Sequence, residues 1–322
     1  MRKSFLSLIA IWILLAPHPS EAQKVYRISA LVASDLFVPA FEGFKKKMAE
    51  LGYVEGRNVK YDFHNAKGDR DTLKKLAQKL VQDKPDLIVT SSTSVTIPVA
   101  KLTEGTNLPV IFVSASDPLR FVKSYASSGN NLTGISNSSL DLIEKRMDLL
   151  KELVPEIRRV IVLEVPSGTN YEASHRLIWE AGRKLGLDLT SVQAAGLEEI
   201  RAKISTMITR KLGEAVFTPP DILVTAAIEE IARQAIKETL PLIGTNVETV
   251  KKGALAAYTA RYFELGQQGA VMANKILKGA KPVDLPIEQP KKVNLVLNLK
   301  TAKAIGLKIP REILLRADEV IE

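Results

Sequence analysis

The sequence predicts an α/β protein of two Rossmann-like lobes, each a parallel sheet wrapped by helices. Three observations predict it. Short runs rich in β-branched residues alternate with longer amphipathic stretches, as in strand–helix–strand units. The alternation completes one lobe by about Ser136 and restarts at Arg159. The chain has 322 residues, more than one hydrophobic core usually serves, so two domains are expected.

In the first lobe, Val25 to Val32 reads as a strand, and Phe37 to Leu51 as a helix with Phe37, Phe41, Phe44, Met48 and Leu51 on one face. Val59 to His64 is the next strand. A helix from Asp69, an N-cap candidate, to Asp83 follows. Leu87 to Thr90 leads through Ser91 to Ser94 into a helix, and Val110 to Val113 and Leu132 to Ile135 are further strands. Leu140 to Leu153 is a helix closed by Pro155.

The second lobe repeats the design: strand Arg159 to Leu163, helix Tyr171 to Leu185, strand Leu187 to Val192 and helix Leu197 to Leu212. Ala215 to Thr218, a helix around Ile228 to Glu238, and Leu240 to Gly244 complete it. The duplication is one of pattern, with no repeat visible residue by residue. Beyond it stand a strand at Ala254 to Tyr258, a helix from Phe263 to Leu277, a strand at Val293 to Leu297 and a terminal helical region. These leftover elements must join lobes that already exist, so the chain crosses between lobes more than once. Right-handed crossovers imply parallel strands with helices on both faces.

At the N-terminus Arg2 and Lys3 precede an uncharged apolar run, Phe5 to Ala16, too short to span a bilayer. Pro17 ends it, and Ser20-Glu21-Ala22 offers a small-x-small cleavage site. Residues 1–22 are therefore expected to be a signal peptide and the mature chain to begin near Gln23, the alternative being an uncleaved anchor. There is no cysteine, which rules out disulfides, thiol chemistry and a lipid-modified cysteine. A periplasmic product without a lipid anchor is expected.

Loss of Arg2, Lys3 and Glu21 takes the formal charge from +9 to +8. The basic residues are interspersed with acidic ones, as in Glu42 to Lys47, with no stripe of interleaved aromatics. A nucleic-acid surface is not expected.

Ligands of open parallel sheets bind beyond the carboxyl ends of the strands. Four consecutive hydroxyl residues, Ser91 to Ser94, stand at such an end and precede a helix, where hydroxyls and backbone N–H groups converge on an anionic oxygen. A plain N-cap is the other reading. Ser34-Asp35 and Ser116-Asp117 lie at the same edge, as ligand contacts or as turns and caps. In the second lobe Thr169, Asn170 and Tyr171, then Asp221, then Asn246 occupy the equivalent ends. Tyr171 offers a stacking surface or packs internally. Arg261 pairs with a ligand carboxylate or with a surface acid.

Chemistry is scarce. His18 leaves with the signal peptide, and His64 and His175 lack metal-ligand spacing. A P-loop, a Gly-x-Ser-x-Gly elbow, a dinucleotide fingerprint and calcium loops are absent from the sequence. No cofactor and no metal are expected. Asp117 with Asp221 across a cleft would be the acid–base pair of an exported enzyme, a reading the sequence does not favour.

The segment Leu51-Gly52-Tyr53-Val54-Glu55-Gly56-Arg57-Asn58 resembles the ABC transporter substrate-binding family that includes tryptophan- and tyrosine-binding receptors. Ile276 to Pro282, Leu285 to Pro290, Asn298 to Leu307 and Arg316 to Glu322 extend the resemblance over nearly the whole mature chain. It implies a type I periplasmic-binding fold with three crossing segments. Lobe one would be 23–136 plus about 260–282, and lobe two 137–259 plus about 283–322. It further implies a small ligand captured by hinge closure, an ABC permease in the inner membrane as partner, a monomer, and no enzymatic activity. A ligand-sensing module coupled to a signalling partner is the alternative. Ser91 to Thr93, Ser116-Asp117-Pro118 and Pro219-Pro220-Asp221 match the family's ligand-facing loops.

Departures from the family concentrate at the ligand. Val165 to Asn170 replaces Asn-Pro-x-Asn-Pro, Val247 stands where amino-acid-binding members carry an acid, and Arg261 where they have Asn. On that basis an aromatic or other carboxylate is expected rather than a simple α-amino acid.

Overall fold

The computed structural model describes residues 24–322; the expected signal peptide and Gln23 lie outside the described residues. The chain begins with β1 (Tyr26–Val32), α1 (Val38–Glu50), β2 (Val59–Asn65), α2 (Arg70–Gln82), β3 (Leu87–Ser91), α3 (Thr93–Leu102), β4 (Val110–Ala115) and β5 (Leu132–Ser136). These strands form one sheet in the order β2-β1-β3-β4-β5, parallel throughout. Strands β3, β4 and β5 are buried along their whole length, which is why they read as continuous apolar runs. Asp69 caps α2 as expected, accepting from the Thr72 N–H at 2.7 Å.

The second lobe follows with α4 (Ile143–Leu153), β6 (Arg159–Glu164), α5 (Tyr171–Lys184), β7 (Asp188–Gln193), α6 (Leu197–Met207) and β8 (Ala215–Phe217). Then come α7 (Ile222–Ala226), α8 (Ile228–Lys237), β9 (Leu242–Ile243), α9 (Val247–Lys251) and β10 (Ala256–Thr259). Its sheet runs β12-β11-β10-β9-β8-β6-β7. Counted from β6, the first five strands are wound in the same order as those of the first sheet. The type I periplasmic-binding architecture is thus two copies of one doubly wound pattern.

After β10 the chain returns to the first lobe as α10 (Tyr262–Leu277). This helix lies on α1 at backbone contact: a β-carbon on Gly43 would overlap the Phe263 carbonyl, and one on Gly266 the Ala40 carbonyl. Leu285 and Ile287 still pack into the first core, and Glu288 bridges Ile135 beside β5. The chain then crosses again to β11 (Asn294–Asn298), α11 (Leu299–Ala304), α12 (Arg311–Arg316) and β12 (Glu319–Ile321). Three segments therefore connect the lobes, at 137–142, 260–261 and 289–293.

Two local expectations are corrected. Strand β11 is antiparallel to β10, because the chain re-enters the second sheet from the opposite lobe rather than through a crossover helix. Helix α6 stops at Met207, where Ile208 is extended and Arg210 is tied to the Glu238 and Thr239 carbonyls. The short α7, α9 and β12 carry too few residues to show a period. No helix among the described residues is long and apolar enough to cross a membrane.

Replacing Gly266 by alanine forces α10 off α1. The expected loss is about 1–3 kcal/mol of stability, read by urea unfolding, with a far smaller effect for alanine at the half-buried Gly196, where a β-carbon meets nothing.

Candidate functional site

The carboxyl ends of both sheets point into the space between the lobes, as doubly wound folds require of a binding crevice. A cavity of about 60 Å³ lies there. From the first lobe come Ser92, Thr93, Ser94, Ser114 and Ser116; from the second, Thr169, Asn170, Asp221, Thr245 and Asn246. Leu36, Phe37, Ile222 and Tyr262 supply the apolar part, with the Phe37 and Tyr262 rings 5.1 Å apart.

The first-lobe loops are strained into place. Ser92 (φ 92°) and Ser114 (φ 77°) hold left-handed backbone, the latter at a register shift in β4. Each such non-glycine residue costs about 1–3 kcal/mol, a cost that persists only where surrounding structure enforces it. Buried β3 and β4 on either side do so, and the Ser91 and Ser114 hydroxyls bond to each other at 2.8 Å. Ser92 caps α3, so the cap and ligand-contact readings of Ser91 to Ser94 coexist.

Hydrogen-bond accounting fixes which groups remain for a ligand. Thr93 Oγ1 accepts the backbone N–H groups of Ser116 (3.0 Å) and Asp117 (3.1 Å). Both its lone pairs are occupied, so in its 3.0 Å bond to Ser116 Oγ it must donate. Asn170 reaches across from the other lobe and donates through Nδ2 to Ser116 Oγ (2.8 Å) and to the Pro220 carbonyl (3.0 Å). A carbonyl only accepts, so the amide orientation is determined. Ser116 Oγ now accepts twice, and its own proton is left to donate. Asn170 Oδ1 is buried with no partner among the described residues. A free donor and a free acceptor thus stand side by side at the seam between the lobes.

Asp221 is the cavity's carboxylate, 9% exposed. Its Oδ1 caps α7 through the N–H groups of Leu223 (2.8 Å) and Val224 (3.1 Å). Its Oδ2 abuts Gly168 so closely that no β-carbon fits there. Burial holds its pKa above the ordinary aspartate range, against the pull of those two N–H groups and of Arg70. Asn246 and Thr249 form a capping box at the start of α9, which fixes Thr245 and Asn246 against the cavity.

Two exposed arginines join the lobes at the rim. Arg70 Nη2 donates to the Ser167 carbonyl at 2.8 Å, and Arg120 Nη1 donates to the Thr169 carbonyl.

Of the residues singled out in the sequence, Ser92, Thr93, Ser116, Thr169, Asn170, Asp221 and Asn246 line the cavity, and six do not. Ser34 starts an extended turn, and Asp35 is exposed, its pKa held down by Lys67 (2.5 Å) and Asn65. Ser91 spends its hydroxyl on Ser114. Asp117 contributes its backbone N–H to Thr93, while its carboxyl is pushed up by burial and by Asp141. It lies outside the cavity that Asp221 lines, so the two carboxylates do not share the cleft as an acid–base pair. The Tyr171 ring lies 5.5 Å from that of His175, tilted by 43°, and its hydroxyl accepts from Gln193. Arg261 pairs with Glu319 at 2.6 Å near the crossing segments. A guanidinium gained by the ligand site was one reason to expect something other than an α-amino acid, and that reason lapses.

Sequence reasoning missed Asn137, Ser139, Thr225 and Tyr262. Asn137 and Ser139 follow β5, and the strand-end rule applied to the other loops finds them. Phe37 reads as a helix-face core residue, and Tyr262 falls one residue ahead of the helix expected from Phe263.

The Asp221 shift has a stability consequence. Its carboxyl ionises near 3.8 when unfolded and higher when folded. The folded state holds more protons between those values, so stability falls as pH rises through that window and stays lower above it. Asp221→Asn keeps the cap acceptor and removes the buried charge. It is expected to raise the unliganded melting temperature at pH 7, by about 2–4 °C per kcal/mol relieved, with the gain vanishing as pH falls below 3.8; calorimetry across pH checks this.

A tyrosine-binding protein of Clostridioides difficile is 28% identical over 290 residues, 89% of this chain and 82% of that protein. An ABC domain from Streptococcus pneumoniae solved in complex with L-Trp is 26% identical, covers 92% of this chain and 100% of its own, and superposes with a TM-score of 0.84. A ligand-free, open substrate binding protein from Clostridium difficile, also 26% identical over 92% of this chain and 99% of its own, gives 0.71. At equal identity the lobes here match the L-Trp complex better than the open form. The profile of the family described as ABC transporter substrate binding protein matches residues 26–321, and the chain belongs to that family.

Proposed function

We propose that this protein is an exported receptor that captures an amino-acid-like ligand, bearing both a carboxylate and an amine, and presents it to an ABC permease. One observation carries the reading: the Ser116 hydroxyl proton and the buried Asn170 Oδ1 are left unpaired beside each other in the cleft. An unpartnered buried acceptor costs about 1–3 kcal/mol, and a ligand N–H removes that cost. Asp221 provides the negative charge an ammonium needs. The Ser and Thr hydroxyls of the first lobe, with the start of α3, suit a carboxylate.

Closure is the proposed mechanism. Ligand binds one lobe, and the contacts added by the other favour the closed form. Asn170 donating to Ser116, together with Arg70 and Arg120 at the rim, are contacts that only closure creates. The hinge is proposed at 137–142, 260–261 and 289–293. The mature chain is proposed to work in the periplasm as a monomer, without a lipid anchor.

The test is a melting-temperature screen of the mature chain against L-tryptophan, L-tyrosine, smaller α-amino acids, their deaminated acids and nucleosides, since binding to the folded form alone raises stability. At least one α-amino acid is expected to stabilise. Asn170→Ala should weaken that compound about 10–100-fold by titration calorimetry, the equivalent of about 1.5–3 kcal/mol. Stabilisation by deaminated acids only, or by nucleosides only, would sink the amine half of the reading.

The rim bonds give a separate check. Arg70→Ala combined with Arg120→Ala leaves the cavity lining intact but favours the open form. Weaker binding with a larger radius of gyration in small-angle scattering is expected, because affinity falls with the fraction of closed-competent molecules.

A further inference from the structure

Arg146, in the first half of α4, is buried at 1% exposure. It bonds only to neutral oxygens: Nε to the Tyr258 carbonyl (2.9 Å), Nη1 to the Ser139 carbonyl (2.9 Å), and Nη2 to Thr245 O (2.9 Å) and Ser139 Oγ (3.3 Å). No carboxylate among the described residues pairs with it, and Tyr262 is the one ionisable neighbour whose field it feels. Burial lowers its pKa to about 10, so it remains a cation at neutral pH.

A buried cation with no counter-charge is costly, and its position is informative. Ser139, Thr245 and Tyr262, which surround it, all line the ligand cavity. Hydrogen bonds continue along that wall: Ser139 N–H donates to Asn137 Oδ1 (2.9 Å), and Asn137 Nδ2 donates to the Ser114 carbonyl (3.0 Å). Asp221, the carboxylate of the same cavity, is spent on the N–H groups of α7 and is not among the hydrogen-bond partners of Arg146. The cleft thus has a carboxylate in its lining and, behind its wall, a guanidinium that is not paired with it.

We propose that Arg146 is a specificity-determining residue that acts from behind the cavity wall, its buried guanidinium serving as counter-charge for the ligand's carboxylate without touching it. This rests on the reading that the ligand carries a carboxylate, and it extends that reading to the second layer of the site. Low local dielectric makes such an interaction strong over distances at which water would screen it. The same guanidinium ties together Ser139, on one crossing segment, and Tyr258, just before another. The charge that selects the ligand therefore sits at the hinge that must close on it.

Sodium acetate is the probe that tests this, being small and free of any amine. Melting temperatures of the mature wild-type chain are compared in acetate, in sodium chloride of equal ionic strength and in acetamide. Acetate is expected to raise the melting temperature above chloride and acetamide. Arg146→Gln is expected to abolish that rise, and Arg146→Lys, which keeps the charge but loses the fork, to retain at least half. In parallel, any α-amino acid that binds is expected to bind at least tenfold more tightly than its own amide in the wild type, with that ratio reduced severalfold in Arg146→Gln.

No acetate-specific rise in the wild type, or a full rise in Arg146→Gln, overturns the proposal. An Arg146→Gln chain that weakens acid and amide by the same factor also overturns it, because the residue then only builds the hinge. Should that variant not fold, Arg146→Lys decides: loss of the acetate rise in a folded lysine variant refutes charge as the cause. An acetate rise without stabilisation by any amino acid leaves Arg146 in its role and defeats the amine reading instead.

Discussion

Helix α10 can rest on α1 only because Gly43 and Gly266 present no side chains to the facing backbone. That close approach holds the chain's return to the first lobe, and much else depends on it. Without the return, the second lobe would hang from a single connection after β5. With it, the chain crosses between the lobes three times. The sheets are thereby kept with their carboxyl ends facing each other. Gly269, whose β-carbon would meet the Val113 side chain of β4, extends the same contact onto the sheet that carries Ser114.

Within that frame the first lobe spends stability on its binding loops. Ser92 and Ser114 are held in left-handed conformations that glycine would adopt freely. Serine there places a hydroxyl where glycine has nothing. Buried Ile, Val and Phe on β3 and β4 anchor these residues from below, and β4 accommodates Ser114 by a register shift against β5. The second lobe meets the same need with caps: Asp221 on α7 and Asn246 on α9 each bond to helix N–H groups while facing the cavity.

Most of the fold was legible because buried parallel strands and amphipathic helices have different periods, and handedness sets how each strand–helix–strand unit is wound. Legibility failed where tertiary context decides. The direction of β11 depends on which lobe the chain arrives from, and nothing within Asn294 to Asn298 encodes it. At the site, strand-end position found Ser92, Thr93, Ser116, Asn170 and Asp221, since loop location is a property of the sheet. It could not say where a side chain in the first helical turn points. Tyr171, open in the sequence to a stacking or a packed role, lies tilted beside His175, whereas Tyr262, just ahead of the helix expected from Phe263, faces the cavity. Arg261 and Arg146 show the same limit for charge. Arg261 was open to a ligand carboxylate or a surface acid and is paired with Glu319, while Arg146 carries no distinguishing signal in the sequence and is buried with no carboxylate partner among the described residues.

A receptor must hold its ligand and then give it up, and the arrangement of charge suits both. If a guanidinium gripped the ligand directly in two hydrogen bonds, opening the lobes would leave that bond intact on one side. Here the contacts within the cavity are hydroxyls, amides and one carboxylate, divided between the lobes. Separating the lobes breaks Asn170 from Ser116 and admits water to every one of these groups. Water also screens a cation that works through a wall far more than one in contact. The attraction of Arg146 is therefore strongest in the closed, dry cleft and weakest in the open one, so affinity falls with the same movement by which the permease would receive the ligand.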